Sequence, residues 1–598
     1  MSWNISLPCT SREPSNNEAC YKGIFGSLRE REELDVVLPD LLSQMGMTVF
    51  SRPGRGTRQD GVDVAAVGSI NGEEEAVYLF SIKPGDLRRN DWDGDAVQSL
   101  RPSLNEILDA YIPNRLPTEH RGKKIKICIC VGGDIREEVR TSVEGFKVQN
   151  STENVCFEEW NGDKIASLIE AHFLKEDLLP EGARSHLRKA IALIDEPDAS
   201  YKHFSTLVRS ILGEDFTKPA QKVRAMRQLS ICLWILFSWA RDQGNLESAY
   251  RSSEYLLLRT WEITREYTEK NNKTAKSILD AYSSVLSTYL TVGTEYISKV
   301  VLPHASIHHG LSSAVHGSTT LDINLRLFDV AGRTALFGIW MFWQAHSFPE
   351  ESEHRGGLLS VSQTYASALK DLVNNNPILL LPVKDGQCID IALGVLLLLM
   401  WEDQESIVGW LSLIVDRAKF AYRFHKSYPC NIHAYHELLE HPRNDESYQQ
   451  NATAGSILYP LISILAAMIE DADLFESVKE FKVESLAHCN FQYWYPDDSS
   501  EQHLYINDEI HGTNLSGVRV EGTPENLLKQ VFDECDNLPQ FDDLSAIKSG
   551  FWPLMLTACR HYRLPIPLHF IRQYWTPPLG KAAVETPNDP PETIGTAS

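Results

Sequence analysis

Positive charge is in short supply in this chain. Across 598 residues, 57 lysines and arginines face 81 aspartates and glutamates, a formal charge of -24. That balance excludes a generally basic nucleic-acid coat, although it leaves room for a local basic groove. The 11 cysteines are scattered and odd in number, with no Cys-x-x-Cys pair, which excludes a secreted disulfide framework and points to a reducing cytoplasm. Long apolar runs are missing too: the longest, 231–237 and 391–401, read as buried helix segments, so no membrane partner is expected. The opening Met1-Ser2-Trp3-Asn4-Ile5-Ser6 has neither the basic region nor the apolar run of a signal peptide. No repeat period emerges, so nothing supports a regular solenoid.

What is present is ordinary globular composition, 43% hydrophobic and 23% charged, in a chain too long for one core. Two or more domains are therefore expected. The most informative stretch is 60–83. It holds two β-rich runs, Val62-Asp63-Val64-Ala65-Ala66-Val67 and Ala76-Val77-Tyr78-Leu79-Phe80-Ser81-Ile82-Lys83, separated by Asn71-Gly72, a strong hairpin signal. Asp63 and Lys83 are out of place in runs this apolar, because a buried charge must be paired or coordinate something. A carboxylate, a second ligand group and a lysine meeting at a sheet edge can hold a divalent cation and orient water against a phosphodiester.

Register tests that idea. Ser81 and Lys83 share one face of their strand. A strict two-residue turn at Asn71-Gly72 sets Asp63 opposite Phe80, on the other face. An odd loop or a single bulge sets it opposite Ser81. The site requires the second arrangement.

Around this hairpin the chain reads as a loose arm over 1–26, then a helix over 27–45 with Leu34, Val37, Leu38, Leu41, Leu42 and Met45 at helical spacing. Pro39 within it predicts a kink or two shorter helices. Gly46 stops it and 47–50 starts a strand. The loop that follows carries Arg52, Arg55 and Arg58, either a phosphate-contacting loop or a solvated basic turn. After Lys83, Pro84-Gly85-Asp86 turns into a charged segment holding Arg88. A helix follows over about 96–111. Gln98 and Arg101 begin it, with approach to substrate phosphate and a solvated helix start as equal alternatives. Strand 123–131, helix 135–146, strand 155–160 and helix 162–173 complete an α/β unit with a small mixed sheet flanked by helices.

Punctuation at Pro180-Glu181-Gly182 and Asp195-Glu196-Pro197-Asp198 reads as a linker over 178–200. Beyond it, helix-type patterns dominate 201–575: 221–240, 247–267, 274–300, 323–345, 358–373, 389–401, 407–424, 456–472 and 524–532. Short β-like runs occur at 503–506 and 517–520. A Pro-rich disordered tail is expected over 576–598. The histidines around His304 and His308, and the pair His436 and His441, lack metal-site spacing and read as loop and helix-end residues.

A helix ending in Gly46, then Gly61-Val62-Asp63, then a strand ending in Ser81-Ile82-Lys83, then helix and strand, resembles the restriction-endonuclease-like PD-(D/E)xK nuclease superfamily. Its Mrr-type branch is the nearest in layout. The resemblance covers about 27–174. It implies that Asp63 is a metal ligand together with the Ile82 carbonyl, and that Lys83 aligns the attacking water. It puts the acid of the first helix at Asp35, with Glu33 as substitute. Ser81 departs from the pattern, which expects Glu, Asp or Gln there, and serine is a weak ligand for a hard cation. Asp86 is the nearest acid able to replace it.

The function so implied is a Mg- or Mn-dependent endonuclease acting on nucleic acid, DNA before RNA, in defence against foreign DNA. The helical region would sense, self-associate or bind a protein partner. The alternative is a non-catalytic nucleic-acid-binding or scaffolding module that has lost its metal through Ser81.

Overall fold

A computed structural model describes residues 35–51, 60–70, 73–83, 85–94, 99–165, 168, 181–213, 216–315, 317, 319–425, 429–443 and 445–574. The expected N-terminal arm, Glu33, the loop with Arg52, Arg55 and Arg58, the turn residues Asn71 and Gly72, Gln98 and the C-terminal tail lie outside the described residues.

Helix α1 (Asp35–Gln44) contains Pro39 and leads through Gly46, at φ 87°, into β1 (Thr48–Ser51). Strands β2 (Val64–Gly68) and β3 (Ala76–Lys83) form the hairpin, β2 antiparallel to both its neighbours. The charged segment after β3 holds a short helix, α2 (Arg89–Asp93). Helix α3 (Leu100–Glu106) continues in wider π turns over Ile107–Arg115, and starts later than the pattern suggested. It carries the chain over to β4 (Lys124–Val131), which lies parallel to β3. Helix α4 (Glu137–Asn150) leads to β5 (Val155–Trp160), parallel to β4. The five strands lie in chain order in one mixed sheet.

Composition explains these elements. Helix α4 buries Val139, Val143 and Phe146 along one stripe, with Glu137 and Glu138 in its first turn and Lys147 in its last, complementing the helix dipole. All eight residues of β3 are buried, as befits a central strand covered on both faces. Val77 and Leu79 pack with Leu100, Leu104 and Ile107 on one face; Tyr78, Phe80 and Ile82 join Leu38, Leu41 and Leu42 of α1 on the other.

That second face is continuous with the core of the helical region. Its longest helices are α5 (Glu181–Ala192), α6 (Pro197–Leu212), α7 (Pro219–Asp242), α8 (Glu247–Thr264), α9 (Lys273–Tyr296), α10 (Thr320–Ala345), α11 (Glu353–Asn375), α12 (Cys388–Met400), α13 (Gln404–His425), α14 (Leu458–Met468), α15 (Ala472–Glu484), α16 (Pro524–Asn537) and α17 (Trp552–Tyr562). Two sequence expectations need correction here. The segment read as a linker over 178–200 is, where described, helix α5 and the start of α6 joined by a turn at 193–196: Ala183, Leu187, Ala190 and Ile194 are buried, and Pro197 occupies the first turn of α6, where its missing N–H costs nothing. The β-like runs are also misplaced. A small second sheet is built from β6 (Gly455–Ser456), β7 (Asn490–Tyr495) and β8 (Thr513–Ser516), while 500–503 is helical. The aromatic run of β7 is buried from Tyr493 to Tyr495, and only its start, with Asn490 exposed, Phe491 buried and Gln492 half-buried, shows the period-2 pattern.

A buried charge network ties α17 to three earlier helices. Arg560 grips both Glu254 oxygens at 2.9 Å and Asp329 at 2.7 Å; Arg333 pairs with Glu247 and Asp329, each at 2.6 Å; Arg563 spans Asp329 and Asp390. His561 Nδ1 lies 2.7 Å from Glu254. Burial alone would raise the Glu254 carboxyl, but Arg560 and His561 overcome it and hold it at about 2. Such a depressed group stabilises the fold above its ordinary value of 4.5, and that stability is lost as pH falls through about 2. The melting temperature should therefore drop steeply between those limits, with Glu254 contributing roughly 3 kcal/mol. Glu254→Gln should melt lower at pH 7 and show a shallower acid response by circular dichroism.

Candidate functional site

The Gly-x-Asp turn owes its shape to two close approaches. Asp60 and Gly61 have positive φ, 48° and 80°. A Cβ on Gly61 would stand 2.0 Å from the Ser103 carbonyl oxygen, so only glycine lets this turn lie against α3. Asp60 adds an ion pair to Arg115 at 2.6 Å. Both contacts anchor the chain immediately before Asp63.

The hairpin has a seven-residue connection, from Ser69 to Glu75, between Gly68 and Ala76, which pair with each other. Val64, opposite Phe80, is the last regular pair at this end of the hairpin. The Asp63 N–H donates to the Phe80 carbonyl at 2.9 Å, so regular pairing slips as β2 begins. Its carboxylate Oδ2 accepts the Ile82 N–H at 2.7 Å, which seats it against the Ser81–Ile82 peptide, one residue from Lys83. Its charge also reaches the α1 face: the Cys130 thiol is pushed up to about 12, by burial first and by Asp63 second.

Ser81 and Lys83 are both buried, 1% and 7% exposed, and alternate with Ile82 so that they share the α3 face. The Ser81 hydroxyl has no hydrogen-bond partner among the described residues. An unsatisfied buried hydroxyl calls for an additional group. The donors here suit a hydrated divalent ion held by one carboxylate, with water and substrate oxygens completing its shell, better than an all-protein cage. No group of three or more His, Cys, Asp or Glu side chains able to hold a metal occurs among the described residues.

The other candidates are placed as follows. Asp86 does not turn toward Ser81 in this arrangement: Oδ1 accepts the Asp134 N–H at 2.9 Å and Oδ2 pairs with Arg136, and these contacts hold its carboxyl below the usual range. Arg88 is exposed before α2, and Arg101 pairs with Asp93 at 2.9 Å on the surface. Asp35 opens α1.

Sequence reasoning missed a line of charge on the α1 face. Lys126, inside β4, pairs with Glu73 at 2.6 Å and Glu158 at 2.8 Å; Glu158 in turn pairs with Lys164 at 2.9 Å. Burial would raise Glu158, yet the two lysines bring it to about 2. The signal was the lysine alternating with apolar residues in Lys124-Ile125-Lys126-Ile127-Cys128. No helix among the described residues is long and apolar enough to cross a membrane. Comparison with family models, curated proteins and solved structures yields no match for this chain.

Proposed function

We propose that the N-terminal α/β unit is a nuclease-like domain of the PD-(D/E)xK kind, a metal-assisted phosphodiesterase acting on nucleic acid, DNA before RNA. The observation that carries this reading is the Asp63 carboxylate seated on the Ser81–Ile82 peptide, with the Lys83 ammonium one residue farther along the same strand. Asp63 and the Ile82 carbonyl would hold Mg²⁺ or Mn²⁺, and the Ser81 hydroxyl would face its water shell. When bound, the ion polarises the phosphate and lowers the pKa of a water. Lys83 aligns that water and stabilises charge developing on the phosphate oxygens. Asp35, the acid that the resemblance assigns to tuning the site, opens α1, the helix packed on the sheet face opposite Ser81 and Lys83. Defence against foreign DNA is the role this chemistry fits by analogy. Nine described cysteines, all free, are in keeping with the cytoplasm. The helical region provides the assembly surface.

A second reading, a binding module without catalysis, draws on one observation: a neutral hydroxyl stands at position 81 while Asp86 is committed to Asp134 and Arg136. Ser81→Glu separates the two. A unit charge pair at about 4 Å is worth roughly 4 kcal/mol at an effective dielectric of 20, and repulsion from Asp63 with desolvation removes much of it. The metal concentration at half-maximal cleavage should fall by about one to two decades, each about 1.4 kcal/mol. A Ser81→Glu protein that binds nucleic acid but stays inert at every Mn²⁺ concentration would favour the binding module.

A further inference from the structure

We propose that the outer face of α13 is a self-association surface, on which a second copy of this chain docks antiparallel about a two-fold axis between Ala418 and Lys419. Helix α13 buries Ile407, Trp410, Leu411, Ile414, Val415, Ala418, Ala421 and Tyr422 against its own core. Beside that face, among exposed polar residues, runs an apolar stripe: Leu413 is 45% exposed, Phe420 62% and Phe424 65%, and the two phenylalanine rings lie 4.8 Å apart. At about 100° per residue, Leu413, Arg417, Phe420 and Phe424 fall within about 60° of arc, a single narrow stripe.

The stripe is complementary to itself, and this identifies the occupant. A two-fold between Ala418 and Lys419 sets Leu413 of one copy on Phe424 of the other, and Arg417 over the ring of Phe420, each contact occurring twice. Guanidinium on an aromatic face is attractive, and more so when desolvated. Along one flank, Asp416 of one copy and Arg423 of the other come within about 3 Å of the same height on the axis. Asp416, Arg417 and Arg423 are exposed and have no ion-pair partner among the described residues, so their charges are available. A heterologous partner would not require this internal symmetry. One helix pair falls short of the roughly 1,200 Å² of a stable interface, so the association is a weak one, in the micromolar range.

This inference is independent of the chemistry proposed for Asp63 and Lys83. Sedimentation equilibrium of the full chain at about 10 to 100 micromolar tests it, a range chosen to bracket micromolar affinity. The wild type should approach twice the mass of one chain. Phe420→Glu combined with Phe424→Glu should return it to a single chain with its thermal melt unchanged, since both side chains are exposed. Asp416→Arg and Arg423→Asp should each weaken association about tenfold, by turning two attractive pairs into repulsive ones, and the double exchange should restore it. A wild type that stays single at every concentration overturns the proposal. So does a dimer that survives the phenylalanine changes, or a double exchange that fails to restore association.

Discussion

Arg560→Met should destabilise the helical region by about 3 to 5 kcal/mol, the range for breaking a buried charge pair by removing one partner. Arg560 is 3% exposed and its guanidinium is shared by Glu254 and Asp329, on α8 and α10. Methionine keeps most of the volume and the apolar stem. What it leaves is the buried Glu254 carboxylate and the partly buried Asp329 carboxylate with less positive charge beside them, and burial then pushes both upward. Chemical denaturation should show the midpoint shifting while the denaturant slope is kept. Adding Glu254→Gln should recover part of the loss, because the pair is coupled. An Arg560→Met protein as stable as wild type would mean that the network contributes nothing net to folding.

Lys83→Met should lower single-turnover cleavage about a thousandfold, comparable to removing a donor aimed at developing charge. The side chain is 7% exposed at the end of β3, so methionine fills its place without leaving a cavity. Nucleic-acid affinity and the thermal melt should remain near wild type. Equal losses in affinity and rate would instead assign Lys83 to binding or structure.

The α/β half was legible because its signals are local. Near-continuous apolar runs named β3 and β4 as interior strands, and Gly46 and Gly61 stand where positive φ is needed. The connection from Ser69 to Glu75 has the odd length that the site demanded, but the Asp63 N–H bonds the Phe80 carbonyl, so the regular register ends at Val64 and does not carry Asp63 onto the face of Ser81 and Lys83. Asp86 was not legible: its contacts with Asp134 and Arg136 depend on how the loops after β3 and β4 meet, which no spacing encodes. The segment around 178–200 misled because Pro and Gly that punctuate loops also start helices, and the buried stripe from Ala183 to Ile194 outweighs them. The network around Arg560 joins residues some three hundred positions apart, so its members look like ordinary surface charges until the helices pack. The exposed stripe on α13 was hidden in the same way. Its pattern shows a long apolar helix, and only packing reveals which residues remain outside.

The central claim is that Asp63 and its neighbours form a metal-assisted cleavage site. Nicking of supercoiled plasmid by the full chain, with Mn²⁺ and with the metal chelated, tests it most directly when Asp63→Asn is run alongside. Wild type should convert supercoiled to open circular DNA only with the metal present, and Asp63→Asn should leave the plasmid intact under both conditions. Plasmid that stays supercoiled with wild type and Mn²⁺, while the protein demonstrably binds it, would contradict the account.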